Sequence, residues 1–219
     1  MTGFLILTPI ILFSLTTHEF SHALMAHLLG DDTAKKQGRL TFNPIKHLDP
    51  IGVVVFYFLH FGWAKPVPVD PRNLKNPHRD MLFIAAAGPA CNLTLAILFV
   101  LVLKMTGPWY LEAMSQNQFY LLVFLCLGVY CNLALALFNM LPIFPLDGSS
   151  VLKGLMPRHV AIKLSQLDKF CGIGLLGIFL LDRFAETHIL NTIFRLPLGF
   201  MVEFIAQDDY PLFQRVLGL

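Results

Sequence analysis

Charge is what this chain lacks. Of its 219 residues, 14% are Asp, Glu, Lys or Arg while 56% are apolar, whereas a soluble domain carries about a quarter charged residues. Mean hydropathy is +0.65. These values exclude an ordinary soluble domain and imply an integral membrane protein. A net charge of +2 is too small for the electrostatic footprint of a nucleic-acid binder, so no nucleic-acid partner is expected. Cys91, Cys126, Cys131 and Cys171 show no C-x-x-C spacing and sit in or beside apolar stretches. That argues against a cysteine metal site or a disulfide framework, and for small buried residues. Internal repeats, low-complexity tracts and an appended soluble domain are also lacking. The amino-terminal apolar run has no basic start and outlasts a signal-peptide core, so we expect it to be retained.

The few charges are unevenly placed. Eight of the sixteen Lys and Arg residues lie between Gly30 and Arg79. Four more lie between Lys153 and Lys169, and Lys104 stands alone before Phe119. By the positive-inside rule the first two regions are cytoplasmic and the connection 104–119 is on the other side.

Apolar runs give the organisation. Phe4 to Leu29 predicts a helix about 39 Å long, more than the roughly 30 Å of hydrocarbon. Ile51 to Phe61 is too short to span and reads as re-entrant or buried in protein. The flanking pieces Gly38 to Phe42 and Gly62 to Val69 read as extended, with prolines that fit edge strands. Met81 to Leu103 and Phe119 to Leu141 are full spans. A fourth is expected from near Ile162 to Leu181. Ile189 to Ile205, interrupted by Arg195, Pro197 and Glu203, is a weaker candidate that fits an interfacial position. The expected fold is an all-α polytopic membrane protein of about four to six membrane segments. A short membrane-associated β-hairpin or re-entrant region is expected around residues 38–69. The chain reads as a single membrane-embedded domain over 1–219, with a core of 1–157 and additional C-terminal helices over 158–219.

Against this background His18-Glu19-Phe20-Ser21-His22 stands out, because Glu19 is the one charge between Met1 and Gly30. H-E-x-x-H on a helix places two imidazoles one turn apart on one face, where both can bind zinc, with the glutamate placed to take a proton from a water. Each ionisable group within a span costs roughly 2.5–3.5 kcal/mol, and a metal ion compensates the cluster. His18 falls about 21 Å along the helix, toward its cytoplasmic end. The motif suggests peptide hydrolysis, and its setting places that hydrolysis within the bilayer.

A zinc site of this kind needs a third protein ligand. Asp31 and Asp80 read as helix-end residues, and Glu112 is on the opposite side by the charge argument. Asp49 and Asp147 remain. Pro142 and Pro145 break the chain just before Asp147 and allow its carboxylate to turn inward, with Gly148 permitting a turn. A solvated turn aspartate explains the same residues equally well. Asn139 is a candidate oxyanion donor and Asn92 a weaker one, although helix capping and interhelical packing account for them too. His27, His47, His60, His78, His159 and His188 have no paired spacing and read as structural.

Three separated motifs, H-E-F-S-H, A-G-P-A-C-N and N-M-L-P-I-F-P-L-D-G, together resemble the site-2 protease family of intramembrane zinc metalloproteases. The connecting sequences G-R-L-T-F-N-P-I-K-H-L-D-P and G-W-A-K-P-V-P-V-D-P-R-N-L-K-N-P are similar to those of its compact prokaryotic branch, which lacks PDZ and CBS domains. The likeness covers roughly residues 10–155; Phe144 departs from it, where the family commonly has proline. It implies that Asp147 is the third ligand, beside His18 and His22, of one Zn2+ per chain. It implies Glu19 as the catalytic base and places Asn139 close to the active site. Expected partners are transmembrane protein substrates and the lipid bilayer; the expected setting is a prokaryotic inner (cytoplasmic) membrane, with cleavage near the cytoplasmic face. The alternative is a membrane zinc-binding or transport protein, which would leave Glu19 without a catalytic task.

Overall fold

The computed structural model describes residues 2–59, 62–106, 115–185, 187 and 189–218. Its described residues are helical apart from turns and short extended connections. The helices are α1 (Thr2–Leu28), α2 (Thr33–Lys36), α3 (Pro50–Leu59), α4 (Pro77–Met105), α5 (Gln116–Asn139), α6 (Asp147–Leu155), α7 (Arg158–Ser165), α8 (Asp168–Phe184), α9 (Ile189–Ala206) and α10 (Tyr210–Leu217).

Two of the long apolar helices, α4 and α5, start on strong local signals. Pro77 opens α4 at a position where its missing N–H costs nothing, and the Asn76 side chain accepts from Arg79 N. Ser115 and Gln118 form a reciprocal capping box at the start of α5. α4 and α5 are each long and apolar enough to cross a membrane. α1, of 27 residues, is comparable in length. α1, α4 and α5 pack on one another, α6 packs on α4, and α9 packs on α5.

The main core lies toward one end of this bundle. Ala96, Val100 and Leu103 of α4 meet Leu122, Leu125, Val129 and Leu133 of α5, and Leu198, Val202, Ala206 and Phe213 close over them from α9 and α10. α9 therefore contributes a buried face rather than only lying at an interface. A smaller cluster of Ala26, Leu74 and Ile84 anchors the other end of α1 to the connection before α4. The metal-ligand candidates sit near this second end.

The expected fourth span is divided. Arg158–Ser165 and Asp168–Asp182 meet at 52°, and only as a pair do they reach spanning length, so among the described residues the membrane-crossing count from length and composition is two, or three with this pair. Lys153 of α6 holds the Asp168 carboxylate at 2.6 and 2.7 Å, which pins the start of α8 where a continuous helix would have run on.

No strand ladder forms among the described residues of 38–69, in contrast to the expected hairpin. Gly38 takes a positive φ of 67°, and the chain from 40 to 42 bends instead of extending. Residues 62–69 form neither helix nor turn, and their pairing amounts to one antiparallel bridge, Leu48 to Ala64, with Lys65 N donating to His47 O at 2.8 Å. Pro66 and Pro68 have no N–H to continue a ladder. The carbonyls of Lys65 and Pro66 accept instead from the buried Arg39 guanidinium, at 2.5 and 3.1 Å. Ile51 to Leu59 is helical within α3, whose ten residues span about 15 Å, too short to cross. All four cysteines are free, Cys126 fully buried and the others half-buried.

Candidate metal centre

α1 and α4 run antiparallel, and three successive turns of α4 meet the two histidines of α1. Ile84, Gly88 and Asn92 recur at the spacing of one helix face. His22 Nδ1 donates to the Ile84 carbonyl at 2.7 Å. His18 Nδ1 donates to Asn92 Oδ1 at 2.6 Å. Gly88 lies between them, and a Cβ there would stand 2.4 Å from His22 Nε2 and 2.5 Å from His18 Nε2. Both ring orientations are thus set from behind, which leaves each Nε2 with a lone pair on the side facing away from its anchor.

Asp147 arrives on that side from the break after α5. Prolines 142 and 145 prevent helix through the turn, and α6 restarts at Asp147. Gly148 is needed here for close approach, not for the unusual backbone angle expected from sequence: it is helical, and a Cβ would meet the carbonyl oxygens of Met140 and Leu141 at 2.3 and 2.4 Å. The first turn of α6 can therefore sit directly on the end of α5, which brings the Asp147 carboxylate into the bundle.

The result is a compact triangle. His18 Nε2 is 3.2 Å and His22 Nε2 3.4 Å from Asp147 Oδ2, and the two Nε2 atoms are 3.0 Å apart. Ligands about 2.0–2.1 Å from a tetrahedral zinc lie roughly 3.3 Å from one another. The triangle has that edge length. Two imidazole lone pairs and a carboxylate in a largely buried site, with both Nδ1 hydrogens already committed, form a donor set that a divalent cation satisfies. His18, His22 and Asp147 are the residues the structure brings together in this way, among those described.

The other carboxylates considered from sequence are engaged locally. Asp49 accepts from Ile51 N and Gly52 N, both at 2.9 Å, at the start of α3. Asp80 accepts from Asn76 N and from the Arg79 guanidinium. Asp31, fully buried, accepts from Thr33 N and Oγ1, Asp70 N and Asn73 Nδ2. Burial pushes the Asp31 carboxyl up, but these donors outweigh it and hold it below the usual carboxylate value. Glu112 lies outside the described residues, as do His60 and His188. His27, His47 and His78 bond to Asp32, to the Thr41 carbonyl and to the Met156 carbonyl, consistent with structural roles.

Glu19 is half-buried beside His18. Arg39 is near enough to feel it: burial lowers the guanidinium's pKa, and the negative charge of Glu19 acts in the opposite sense. Phe20 stacks on Phe42 with centroids 4.1 Å apart, which docks the segment after Arg39 against the motif. Asn139, the last residue of α5, donates from Nδ2 to its own helix at Leu135 O, 2.9 Å away. Asn92 does not serve as an oxyanion donor in this arrangement, since its Nδ2 faces Asn132 Oδ1 at 2.9 Å and Ser14 O at 3.4 Å. Sequence reasoning placed Gly88 only within the A-G-P-A-C-N motif, and gave no role to Ile84 or Asn132. The helical spacing of Ile84, Gly88 and Asn92 was the available signal for the first two.

Comparison with known proteins gives the family. A protein of Bacillus subtilis (strain 168), provisionally named zinc metalloprotease YwhC, is 41% identical over 176 residues, covering 80% of each chain. The chain belongs to peptidase family M50. The sequence model of that family matches residues 104–181, the part of this M50 peptidase that includes Asn139 and Asp147. A protein of Mycolicibacterium smegmatis, provisionally named zinc metalloprotease Rip2, is 34% identical over 147 residues, covering 65% of this chain and 54% of its own. A Rip2 of Mycobacterium tuberculosis (strain H37Rv) is 28% identical over 176 residues, covering 77% of this chain and 64% of its own. No solved structure matches the chain.

Proposed function

We propose that this M50 peptidase is an intramembrane zinc metalloendopeptidase that cleaves transmembrane segments of membrane proteins near the cytoplasmic face, in regulated intramembrane proteolysis. The observation that carries the reading is the His18–His22–Asp147 triangle, whose edges of 3.0 to 3.4 Å fit one zinc ion and whose members come from two separate elements. His18 and His22 would hold the ion through Nε2 and Asp147 through Oδ2. Zinc bound there would supply Lewis acidity toward a peptide carbonyl and toward a water.

The remaining work belongs to the protein. A Glu19 carboxylate oxygen receives the proton of the attacking water and returns it to the leaving amine. One Asn139 Nδ2 hydrogen is spent on Leu135 O; the second is free to meet a developing oxyanion. Packing of α1 against α4 and α5 keeps bulk water away from the imidazoles.

In this reading α1 is a further span beside α4 and α5, giving four to six membrane segments with the C-terminal helices. Residues 1–219 act as one membrane-embedded domain with its core in 1–157. The setting is a prokaryotic inner (cytoplasmic) membrane, and the substrates are transmembrane proteins within the lipid bilayer.

The test is Glu19→Gln in the purified full chain. We expect a full complement of zinc and cleavage of a model transmembrane substrate reduced by about 10²–10⁴-fold, the usual share of a positioned general base. Undiminished cleavage would refute the assignment. Metal transport across proteoliposomes that survives the substitution would favour a zinc carrier instead.

A further inference from the structure

We infer that Asn132, on α5, is a positioning residue for the metal centre: through Asn92 it dictates which nitrogen of His18 carries the proton. The inference rests on the reading of His18 as a zinc ligand, and it adds a third helix to the control of that ligand.

The chain of bonds begins at a group with one possible role. The Gly128 carbonyl can only accept, so the Asn132 amide turns its NH2 toward it, 2.8 Å away. Asn132 Oδ1 then faces α4 and accepts from Asn92 Nδ2 at 2.9 Å. The Ser14 carbonyl of α1 draws the same NH2 at 3.4 Å. Asn92 Oδ1 is left pointing at His18 and accepts from Nδ1 at 2.6 Å. His18 must then carry its hydrogen on Nδ1, which leaves the Nε2 lone pair for the metal.

Each amide in this relay has one self-consistent orientation. Reversing Asn132 would set oxygen against the Gly128 carbonyl; reversing Asn92 would set its oxygen against two acceptors. Both asparagines are 0% exposed, so water cannot compensate a wrong orientation. His22 reaches the same tautomer from a backbone carbonyl, Ile84 O, and needs no such relay. His18 alone depends on side chains whose direction has to be enforced from elsewhere. Without Asn132, Asn92 keeps only the long contact to Ser14 and can present its NH2 to His18, which moves the imidazole hydrogen to Nε2 and blocks the metal site.

The experiment measures zinc affinity by chelator competition, together with the melting temperature of the metal-free form, on the detergent-solubilised full chain. Asn132→Leu should weaken zinc binding by about tenfold, the lower end of losses for outer-shell partners, and Asn92→Leu by more. Leu133→Ala, a packing loss on the same helix, should lower the melting temperature without changing zinc affinity. Adding Asn92→Asp to Asn132→Leu should restore most of the affinity, because a carboxylate can only accept from His18 Nδ1 and its charge is balanced across the ring by the metal. Asn132→Ala replaces Asn132→Leu if the larger side chain prevents folding, with the same outcome expected. Unchanged zinc affinity in the Asn132 variant, or no recovery in the double variant, overturns the inference while leaving the metal site in place. A parent chain that takes up no zinc overturns the metal reading itself.

Discussion

Gly88 faces His22 across the α1–α4 contact with no space for a methyl group, since a Cβ on Gly88 would stand 2.4 Å from His22 Nε2 and nearly as close to His18 Nε2. Those are the two nitrogens assigned to the metal. Gly88→Ala should therefore displace one or both rings and leave the bundle folded. A misplacement of about 1 Å can cost a hundredfold in rate, and we expect a loss of that order in cleavage with reduced bound zinc. Metal analysis and a cleavage assay on the same preparation check this; normal zinc content with normal cleavage would show that the contact relaxes at no cost.

The positions of α1, α4 and α5 and both histidines were legible in the sequence because they depend on local rules: hydropathy over a span, and i, i+4 spacing for His18 and His22. Asp147 was a choice between two aspartates until a family resemblance decided it, because its placement depends on how α6 seats on the end of α5. What the sequence reading left out is the α4 face. Asn92 was weighed as an oxyanion donor, yet a side chain's partners across a helix interface are set by the register of two helices, which no local pattern gives. The expected hairpin is not seen among the described residues, for a related reason. Extended segments with prolines at Pro66 and Pro68 can be held by a guanidinium as readily as by a ladder, and Arg39 takes that place.

Asp147→Ala removes one of three ligands and leaves two imidazoles as the remaining donors. The parent chain should gain stability with added zinc as binding to the folded state requires, about 2.7 kcal/mol at a hundredfold excess over Kd. The variant should show a much smaller shift at the same zinc concentration. Thermal unfolding with and without a chelator measures both. Equal shifts in the two chains would remove Asp147 from the ligand set.

Asp31 ties the end of α1 to the connection before α4 through donors from Thr33, Asp70 and Asn73. Its carboxyl is held below its ordinary pKa in the folded chain. A depressed folded-state pKa contributes stability that is present above the unfolded value, about 3.9, and is lost as pH falls through the folded value. Asp31→Asn should cost about 1–3 kcal/mol at pH 7, the range for leaving buried hydrogen-bonding groups mismatched. The gap between parent and variant should narrow on acidification below about pH 3.9. Denaturant unfolding across that pH range tests the sign, and a gap that widens toward acid would contradict it.

Gly148 offers a case where helix propensity and packing predict opposite signs. A glycine within a helix is disfavoured by about 1 kcal/mol relative to alanine, so on propensity alone Gly148→Ala should stabilise α6. A Cβ at that position, however, would meet two backbone oxygens, Met140 O at 2.3 Å and Leu141 O at 2.4 Å. Backbone cannot swing aside as a side-chain tip can, so α6 must lift from the end of α5, at an overpacking cost of about 1–3 kcal/mol. Asp147 is the first residue of α6 and moves with it, away from His18 and His22. The expected variant is less stable, and its zinc affinity falls further than its stability alone would dictate. Chelator competition on the folded fraction separates the two effects. A more stable chain with parental zinc affinity would mean that the α5–α6 junction has slack, and that the position of Asp147 is set elsewhere.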